Sequence, residues 1–409
     1  MNNFIVGLDI GSLTIKAAIG EIKRDGKLSL IQVFKVPSQG IRRGAVDDLA
    51  DATRSINLAL AELKKISKDA VKNIFVSIGN ADARVQNSRG IVAVSRADYE
   101  ICRDDIDRVI QASRAVNLPP NRMVVHAITR EFIVDGVGDI RDPLGMVGNR
   151  LEVNSLIIDA FSPAVKNLTK CVEVAGGIIG GLIFAPMAGS RAVLSRNQKE
   201  LGVALLDIGF GKTSLSVYEE NKLINAKVFP IGASNVTNDL AIGLKTSVEV
   251  AETVKFSFGS ALSKEVGVRE TVELKKFDPR SRGVVSRRFI SEIIEVRLAE
   301  IFEFVNNELK HIGKAARLPG GVVLIGGGAK IPGIADLARQ ELRLSTQIGI
   351  PDISNFSISS GELGLQVEDP ELVGALGLLL WGVDKVNENK NDDKLVSGIF
   401  KKIVSSFLP

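Results

Sequence analysis

Cysteine and histidine are almost missing from this sequence: 409 residues contain Cys102, Cys171, His126 and His311 and no others of either kind. Two cysteines cannot build a disulfide framework, and with two scattered histidines they cannot assemble a Cys/His zinc site. Ser-His and Cys-His nucleophile pairs are set aside on the same ground. Any chemistry must therefore run on carboxylates, a metal and the backbone, and a reduced cytosolic compartment is expected. An excess of charge of one sign is lacking too. The 52 Lys and Arg nearly cancel the 48 Asp and Glu, leaving +4, which gives no field for gripping a phosphate backbone and argues against nucleic acid as a partner.

Long apolar runs are also absent. The longest uncharged stretch, Val174 to Gly189, is broken by five glycines and Pro186 and falls short of the about 20 apolar residues that span a bilayer. Leu372 to Val383 is shorter still and reads as a buried helix. The opening MNNFIVGLDIG enters a strand-like segment with no charged leader or cleavage site, so no export is expected.

What is present points to an α/β protein of two or more domains. The length exceeds that of one growing core, 45% of residues are hydrophobic, and 39 glycines suit many tight strand-to-helix turns. The strongest signal is a repeat. Phe4 to Ile10 (FIVGLDI) is a buried-strand pattern followed by Gly11, Ser12, Leu13 and Thr14; Gly202 to Ile208 (GVALLDI) repeats it, followed by Gly209, Phe210, Gly211, Lys212 and Thr213. A second strand follows each, so each Asp-Ile-Gly sits in a hairpin turn. Two such halves facing each other make a cleft with a hairpin on either wall.

That cleft suits phosphate. Glycines at 11, 209 and 211 let backbone N–H groups approach phosphate oxygens; Ser12, Thr14 and Thr213 can donate, and Lys16 supplies a point charge. Asp9 and Asp207, one from each wall, are placed to hold Mg²⁺ through its waters. Glu252 and Lys255 share one face of a helix expected from Ser247 to Phe258. Gly326, Gly327 and Gly328 follow a buried strand, Gly321 to Ile325. Helices are also expected at Arg103 to Val116, Pro163 to Ala175, Ser291 to Leu309 and Ile334 to Leu342. Strands are expected at Met123 to Ile128, Phe132 to Val134, Leu151 to Ile158 and Ile178 to Phe184.

The order of these motifs resembles the actin, Hsp70 and sugar-kinase superfamily, and within it the bacterial cell-division FtsA family. The match covers nearly the whole chain and is carried by RGIVAVS (Arg89 to Ser95), EFIVDG (Glu131 to Gly136), DPLGM (Asp142 to Met146), VTNDLAIGL (Val236 to Leu244), AETVKFSFG (Ala251 to Gly259) and VVLIGGGAKIPG (Val322 to Gly333). The resemblance implies an actin-like, ribonuclease H-like duplicated fold with an α+β inserted subdomain. Subdomain IA would be 1–82 and 160–200, the insert (IC) 83–159, IIA 201–232 and 318–386, and IIB 233–317. It further implies that Asp9, Gly11, Ser12, Lys16, Asp207, Gly209, Gly211 and Thr213 hold the phosphates of ATP or ADP and Mg²⁺. Glu252 and Lys255 would contact ribose or adenine, and Gly326 to Gly328 would flank adenine.

The second hairpin departs from the family. Where the pattern reads Asp-x-Gly-Gly-Gly-Thr-Thr-Asp, this chain has DIGFGKTS, with Phe210, Lys212 and Ser214 replacing Gly, Thr and Asp. Ala185 stands before Pro186, where the superfamily often has a water-orienting Glu. Loss of such a group lowers rates by roughly 10²- to 10⁴-fold, so hydrolysis is expected to be slow or absent, with Lys212 favouring retention of nucleotide.

After Val386 the composition turns to NENKNDDK, which predicts a solvated linker at 387–393. Residues 394–409 follow with Leu395, Val396, Ile399, Phe400, Ile403, Val404, Phe407 and Leu408 within an arc of about 220°, opposite Lys394, Lys401 and Lys402. Such a helix lies in a membrane interface with its lysines near anionic headgroups. A peripheral place on the cytoplasmic face of the membrane at the division site is expected. Self-association into filaments would supply avidity. The family further implies that the C-terminal tail of the tubulin-like FtsZ docks on about 233–317, where Arg280, Arg282, Arg287, Arg288 and Arg297 offer an anion-accepting face. Other division proteins complete the expected partners. An actin-like adaptor of pilus or secretion assembly and a sugar or acetate kinase are the competing functions.

Overall fold

The computed structural model describes residues 3–23, 26–277 and 283–395, with side chains as far as residue 387. In chain order, β1 (Phe4–Ile10), β2 (Thr14–Ile22) and β3 (Leu28–Pro37) form an antiparallel meander, followed by helix α1 (Leu49–Ile66) and strand β4 (Ile74–Ile78). The insert comprises β5 (Arg84–Ala93), α2 (Arg103–Arg114), β6 (Arg122–Val134), β7 (Val137–Ile140) and β8 (Arg150–Phe161). Then come α3 (Ser162–Val174) and β9 (Ile179–Phe184). The second half repeats the meander as β10 (Val203–Ile208), β11 (Thr213–Glu219) and β12 (Lys222–Phe229). It continues with α4 (Ala233–Leu244), α5 (Val248–Phe258), α6 (Arg287–His311), β13 (Val322–Ile325), α7 (Ile334–Leu342) and β14 (Thr346–Ile348). Strand β15 (Ser357–Ile358) and helix α8 (Val373–Leu395) close the described chain.

The first sheet runs β9-β4-β1-β2-β3-β15 and the second β12-β11-β10-β13-β14. In both, the first strand pairs antiparallel with the second and parallel with the strand that follows the helices, so the sequence repeat is a repeat of topology. The central strands β1 and β10 are buried on both faces, which is why they read as unbroken apolar runs rather than alternating ones. In each, Asp is the one incompletely buried residue of the last five.

Helix α8 packs against β1, β2 and β4 of the first half. Leu376, Leu378 and Leu379 have no exposed surface, so the helix is apolar around most of its girth, as a buried helix must be. Its approach requires glycine on both sides. A Cβ on Gly7 of β1 would lie 2.0 Å from the Ala375 carbonyl oxygen, and one on Gly377 would lie 1.9 Å from that of Ala188. The helix also runs on through 387–393, where the composition predicts a linker. No Gly or Pro follows Gly382 before Gly398, and an established helix propagates at little further cost. The expected membrane segment 394–409 lies, beyond Leu395, outside the described residues.

The insert is a four-stranded sheet, β5-β8-β6-β7, with α2 on one face. The two strand-like runs at 123–128 and 132–134 are one strand, β6, interrupted by a register shift opposite Asn154 and Ser155 that leaves Arg130 unpaired. A buried Arg122–Asp159 ion pair, with Arg122 also bonding the Asp82 and Asp159 carbonyls, ties together the two chain crossings into the insert. His126 of β6 accepts the Phe184 backbone N–H at 3.0 Å. Burial lowers the His126 pKa to about 4, which keeps the imidazole neutral and able to accept.

Helix α6 starts at Arg287, a turn before the expected Ser291. Arg287 bonds the Phe258 carbonyl and Arg288 the Ser263 and Lys264 carbonyls, contacts that hold the extra turn in place. Gly377→Ala should lower stability by about 3 kcal/mol, because backbone rather than a yielding side chain opposes the new methyl. Thermal unfolding of the purified chain measures it, and a melting temperature within one degree of wild type would contradict the close helix approach.

Candidate functional site

The two hairpin turns are built alike. Gly11 N–H bonds the Thr14 carbonyl at 3.2 Å and Gly209 N–H bonds the Lys212 carbonyl at 3.0 Å. Each turn presents backbone and short side chains to one cavity of about 270 Å³ between the halves. Every expected nucleotide residue lines it except Thr213: Asp9, Gly11 to Thr14, Lys16, Asp207, Gly209 to Lys212, Glu252, Lys255 and Gly326 to Gly328. Thr213 is wholly buried away from it. Strand alternation explains this, since the Ile208–Thr213 pair points to the face opposite the Asp207–Ser214 pair.

The carboxylates have unequal surroundings. Asp9 Oδ1 accepts from Ser77 Oγ at 2.7 Å and Oδ2 from its cross-strand neighbour Lys16 at 3.4 Å. Burial pushes the Asp9 pKa up, but Lys16, Ser77 and Lys212 outweigh it and hold the group below the ordinary value. Asp207 faces Ser214 instead. Burial first, then the negative charge of Asp9, raises its pKa from 3.8 to about 6. Two carboxylates close enough in a recess for the charge of one to raise the other's pKa favour a shared cation. Among the described residues no third carboxylate, His or Cys joins them, so a hard divalent ion there would complete its shell with water and ligand oxygens, the habit of Mg²⁺.

At the far side, Lys255 is buried at 1% exposure and donates to Glu252 Oε2 at 2.7 Å and Thr237 Oγ1 at 2.9 Å. The pair is thus internal rather than a surface i, i+3 contact. Burial lowers the Lys255 pKa, and Glu252 opposes that. Glu252 Oε1 is buried without a partner, an acceptor that fits a ribose hydroxyl. The Lys255 ammonium also lies over the Phe256 ring at 4.8 Å and the Phe210 ring at 5.9 Å. Gly326 stands at φ 88°, and a Cβ there would meet Asp207 Oδ1 at 2.3 Å. Glycine is required for the loop to pass the carboxylate.

The cavity also contains residues the sequence reading missed, chiefly Lys35, Gly44, Pro370, Glu371 and Gly374. Glu371 accepts from Thr14 Oγ1 at 3.1 Å and pairs with Lys35 at 2.8 Å, while Lys330 pairs with Asp369 at 3.0 Å. The segment 369–371 therefore straps both halves at the cavity mouth. Lys35 was findable, because a β1-β2-β3 meander in register puts it directly beside Lys16. Nothing local marks Glu371.

Duplicated sheets of this topology, each offering a glycine hairpin and an aspartate to one cleft, define an actin-like fold. Solved structures agree at the level of fold. A PilM-PilN type IV pilus biogenesis complex aligns with TM-score 0.65 at 19% identity, over 93% of this chain and 98% of that one. MreB 5 of Spiroplasma citri bound to AMPPNP aligns with TM-score 0.56 at 12% identity, over 96% and 99%. A family model described as cell division protein FtsA matches residues 204–377, and one described as the SHS2 domain inserted in FtsA matches 80–159. The cell division protein FtsA of Pseudomonas aeruginosa is 33% identical over 384 residues, 94% of this chain and 90% of the relative. That of Bacillus subtilis is 35% identical over 378 residues, 92% and 83%. The chain belongs to the FtsA family of cell division proteins.

Asp207 supplies a test of the cavity's electrostatics. A carboxyl whose pKa is raised on folding binds more protons in the native state between about pH 4 and 6, so its contribution to stability falls across that window. Without ligand or metal, Asp207→Asn should melt with wild type at pH 4 and a few degrees above it at pH 7. A difference that stays flat from pH 4 to 8 would contradict the shared recess.

Proposed function

We propose that this chain is a nucleotide-dependent, self-assembling division protein that attaches FtsZ filaments to the cytoplasmic face of the membrane. The observation that carries the reading is the single cavity in which both hairpins, Asp9, Asp207 and the Glu252–Lys255 pair converge. ATP or ADP suits it. The glycine turns and Lys16 would face phosphates, Asp9 and Asp207 a Mg²⁺ ion, the free Glu252 Oε1 a ribose hydroxyl, and Gly326 to Gly328 the base. A bound Mg²⁺ would neutralise phosphate charge, and the protein residues would orient and enclose the nucleotide.

Slow hydrolysis follows from the available bases. Ala185 lines the cavity where a carboxylate would position water. Asp9, Glu252 and Glu371 are each committed to a lysine. That leaves Asp207, a metal ligand in this reading, and a group in that role is poorly suited to proton abstraction. The nucleotide thus acts as a structural clamp between halves, and assembly rather than turnover is its output.

The proposed partner-docking surface is 233–317. Arg287 pairs with Glu270, and Arg297 with Asp239 and Glu300, so an acidic FtsZ tail would exchange existing partners rather than meet free cations. Arg280 and Arg282 lie outside the described residues. Exposed Ile242, Phe289 and Val296 on α4 and α6 offer apolar anchors beside these pairs. No described helix is long and apolar enough to cross a membrane, and the terminal segment 394–409 is the proposed attachment. Subunits aligned in a filament present many such segments to one surface.

Calorimetry with ATP and Mg²⁺ tests the cavity: saturable binding is expected, weakened at least about tenfold by Lys255→Met, and absence of binding to wild type sinks the nucleotide reading. A chain truncated after Asp393 should fold normally and no longer sediment with vesicles containing anionic lipid; continued sedimentation would refute the anchor. An FtsZ C-terminal peptide should bind the full chain, and failure to do so while a pilus-assembly peptide binds would favour the pilus adaptor instead.

A further inference from the structure

Three cations of the cavity have carboxylate partners and one does not. Lys16 pairs with Asp9 at 3.4 Å, Lys35 with Glu371 at 2.8 Å and Lys255 with Glu252 at 2.7 Å. Lys212, half-buried in the same cavity, forms an ion pair with no carboxylate of the described residues. Its Nζ donates instead to the Gly79 carbonyl at 2.5 Å, across the cleft at the end of β4. Gly44 closes the cage, since a Cβ there would lie 2.5 Å from that carbonyl and 3.0 Å from the Lys212 Nζ. A carbonyl occupies one of three ammonium hydrogens and leaves the others without a carboxylate in contact, although Asp9 and Asp207 act on the charge from a distance.

The duplicated hairpins show how this cation came to be free. Asp9 and Lys16 are cross-strand neighbours, whereas the equivalent neighbours in the second half are Asp207 and Ser214. Lys212 occupies the turn position that Thr14 holds in the first hairpin. The second half therefore carries its positive charge two residues earlier, in the turn rather than on the strand. On the strand a lysine neutralises the aspartate; in the turn it faces whatever fills the cleft.

A polyphosphate entering beside Asp9 and Asp207 brings like charges together, and cations must intervene for it to stay. The single charge of Lys16 is already offset by Asp9, so the additional counter-charge comes from a divalent ion or from Lys212. We infer that Lys212 makes nucleotide binding at this cavity largely independent of a divalent cation, its ammonium leaving the Gly79 carbonyl for a terminal phosphate oxygen. The inference rests on the nucleotide reading above and assigns a specificity-determining role to a residue of this chain. A lysine can play that part because it recognises phosphate as a point charge, without the shell geometry a metal demands.

The test is calorimetry of the full chain with ATP, in Mg²⁺ and in excess EDTA, on wild type, Lys212→Thr and Lys212→Arg. The readout is the ratio of affinity in Mg²⁺ to affinity in EDTA. That ratio should stay below about 10 for wild type and Lys212→Arg and exceed about 100 for Lys212→Thr, since the metal becomes the sole remaining counter-charge. Inorganic triphosphate as titrant should follow the same pattern, because the contact is to phosphate and not to the nucleoside. A wild-type ratio less than about tenfold below that of Lys212→Thr overturns the inference. If Lys212→Thr does not fold, a wild-type ratio above about 10 overturns it and one below about 10 upholds it. If wild type binds no nucleotide even with Mg²⁺, the nucleotide reading fails and the inference falls with it; the Mg²⁺ arm separates that outcome from simple metal dependence.

Discussion

Asp9 and Asp207 end the central strand of each half, and the burial of those strands drives both carboxylates into one recess. Around that pair of like charges the rest of the cavity is arranged. Lys16 offsets the first carboxylate from the adjacent strand, and the second is left to take up a proton near pH 6 or to share a cation. The glycine loop at 326–328 can pass only because it has no side chain to strike Asp207. Such crowding is destabilising in an empty protein, and strain of this kind persists where the surroundings over-determine it and a ligand relieves it.

The surroundings are tied together by close contacts and ion pairs. Helix α8 contacts β1 through Gly7 and the 188–189 turn through Gly377, so two separate segments of the first half are registered against one element. The strap at 369–371 adds ion pairs to Lys35 of the first half and Lys330 of the second. The insert joins the same framework through His126, which receives the backbone N–H of Phe184, immediately before Ala185 in the cavity wall. Phe184 in turn packs where a Gly79 side chain would be, and the Gly79 carbonyl takes the Lys212 ammonium. Insert and second hairpin are thereby connected through few intermediates.

Most of the architecture was legible because it was written twice. A continuous apolar strand ending in Asp-Ile-Gly, repeated across half the chain, implied two like sheets and a cleft, and the strand periods marked the hairpins. Thr213 was misjudged because spacing along a turn does not say which face the next residue takes; only the pairing of Ile208 with Thr213 does. Glu371 and Lys35 meet across 336 positions, a separation at which no local pattern informs. The start of α6 and the continuation of α8 depended on contacts and propagation rather than on residue type. Lys212 was recognisable as a departure from the family's turn, but that it reaches a carbonyl of the opposite wall became visible only when the halves were closed.

One feature of α8 reaches further than packing. Gly374 in its first turn lies close enough to Asp9 that a Cβ would touch Oδ2 at 3.3 Å, and the helix continues without interruption to Leu395. Its 23 residues span about 34 Å at 1.5 Å per residue. A helix is stiff along its axis, so a displacement imposed at the ligand end arrives at the other end scarcely diminished. The helix that lines the cleft with its first turn is thereby a lever whose far tip, Leu395, moves with the pocket wall.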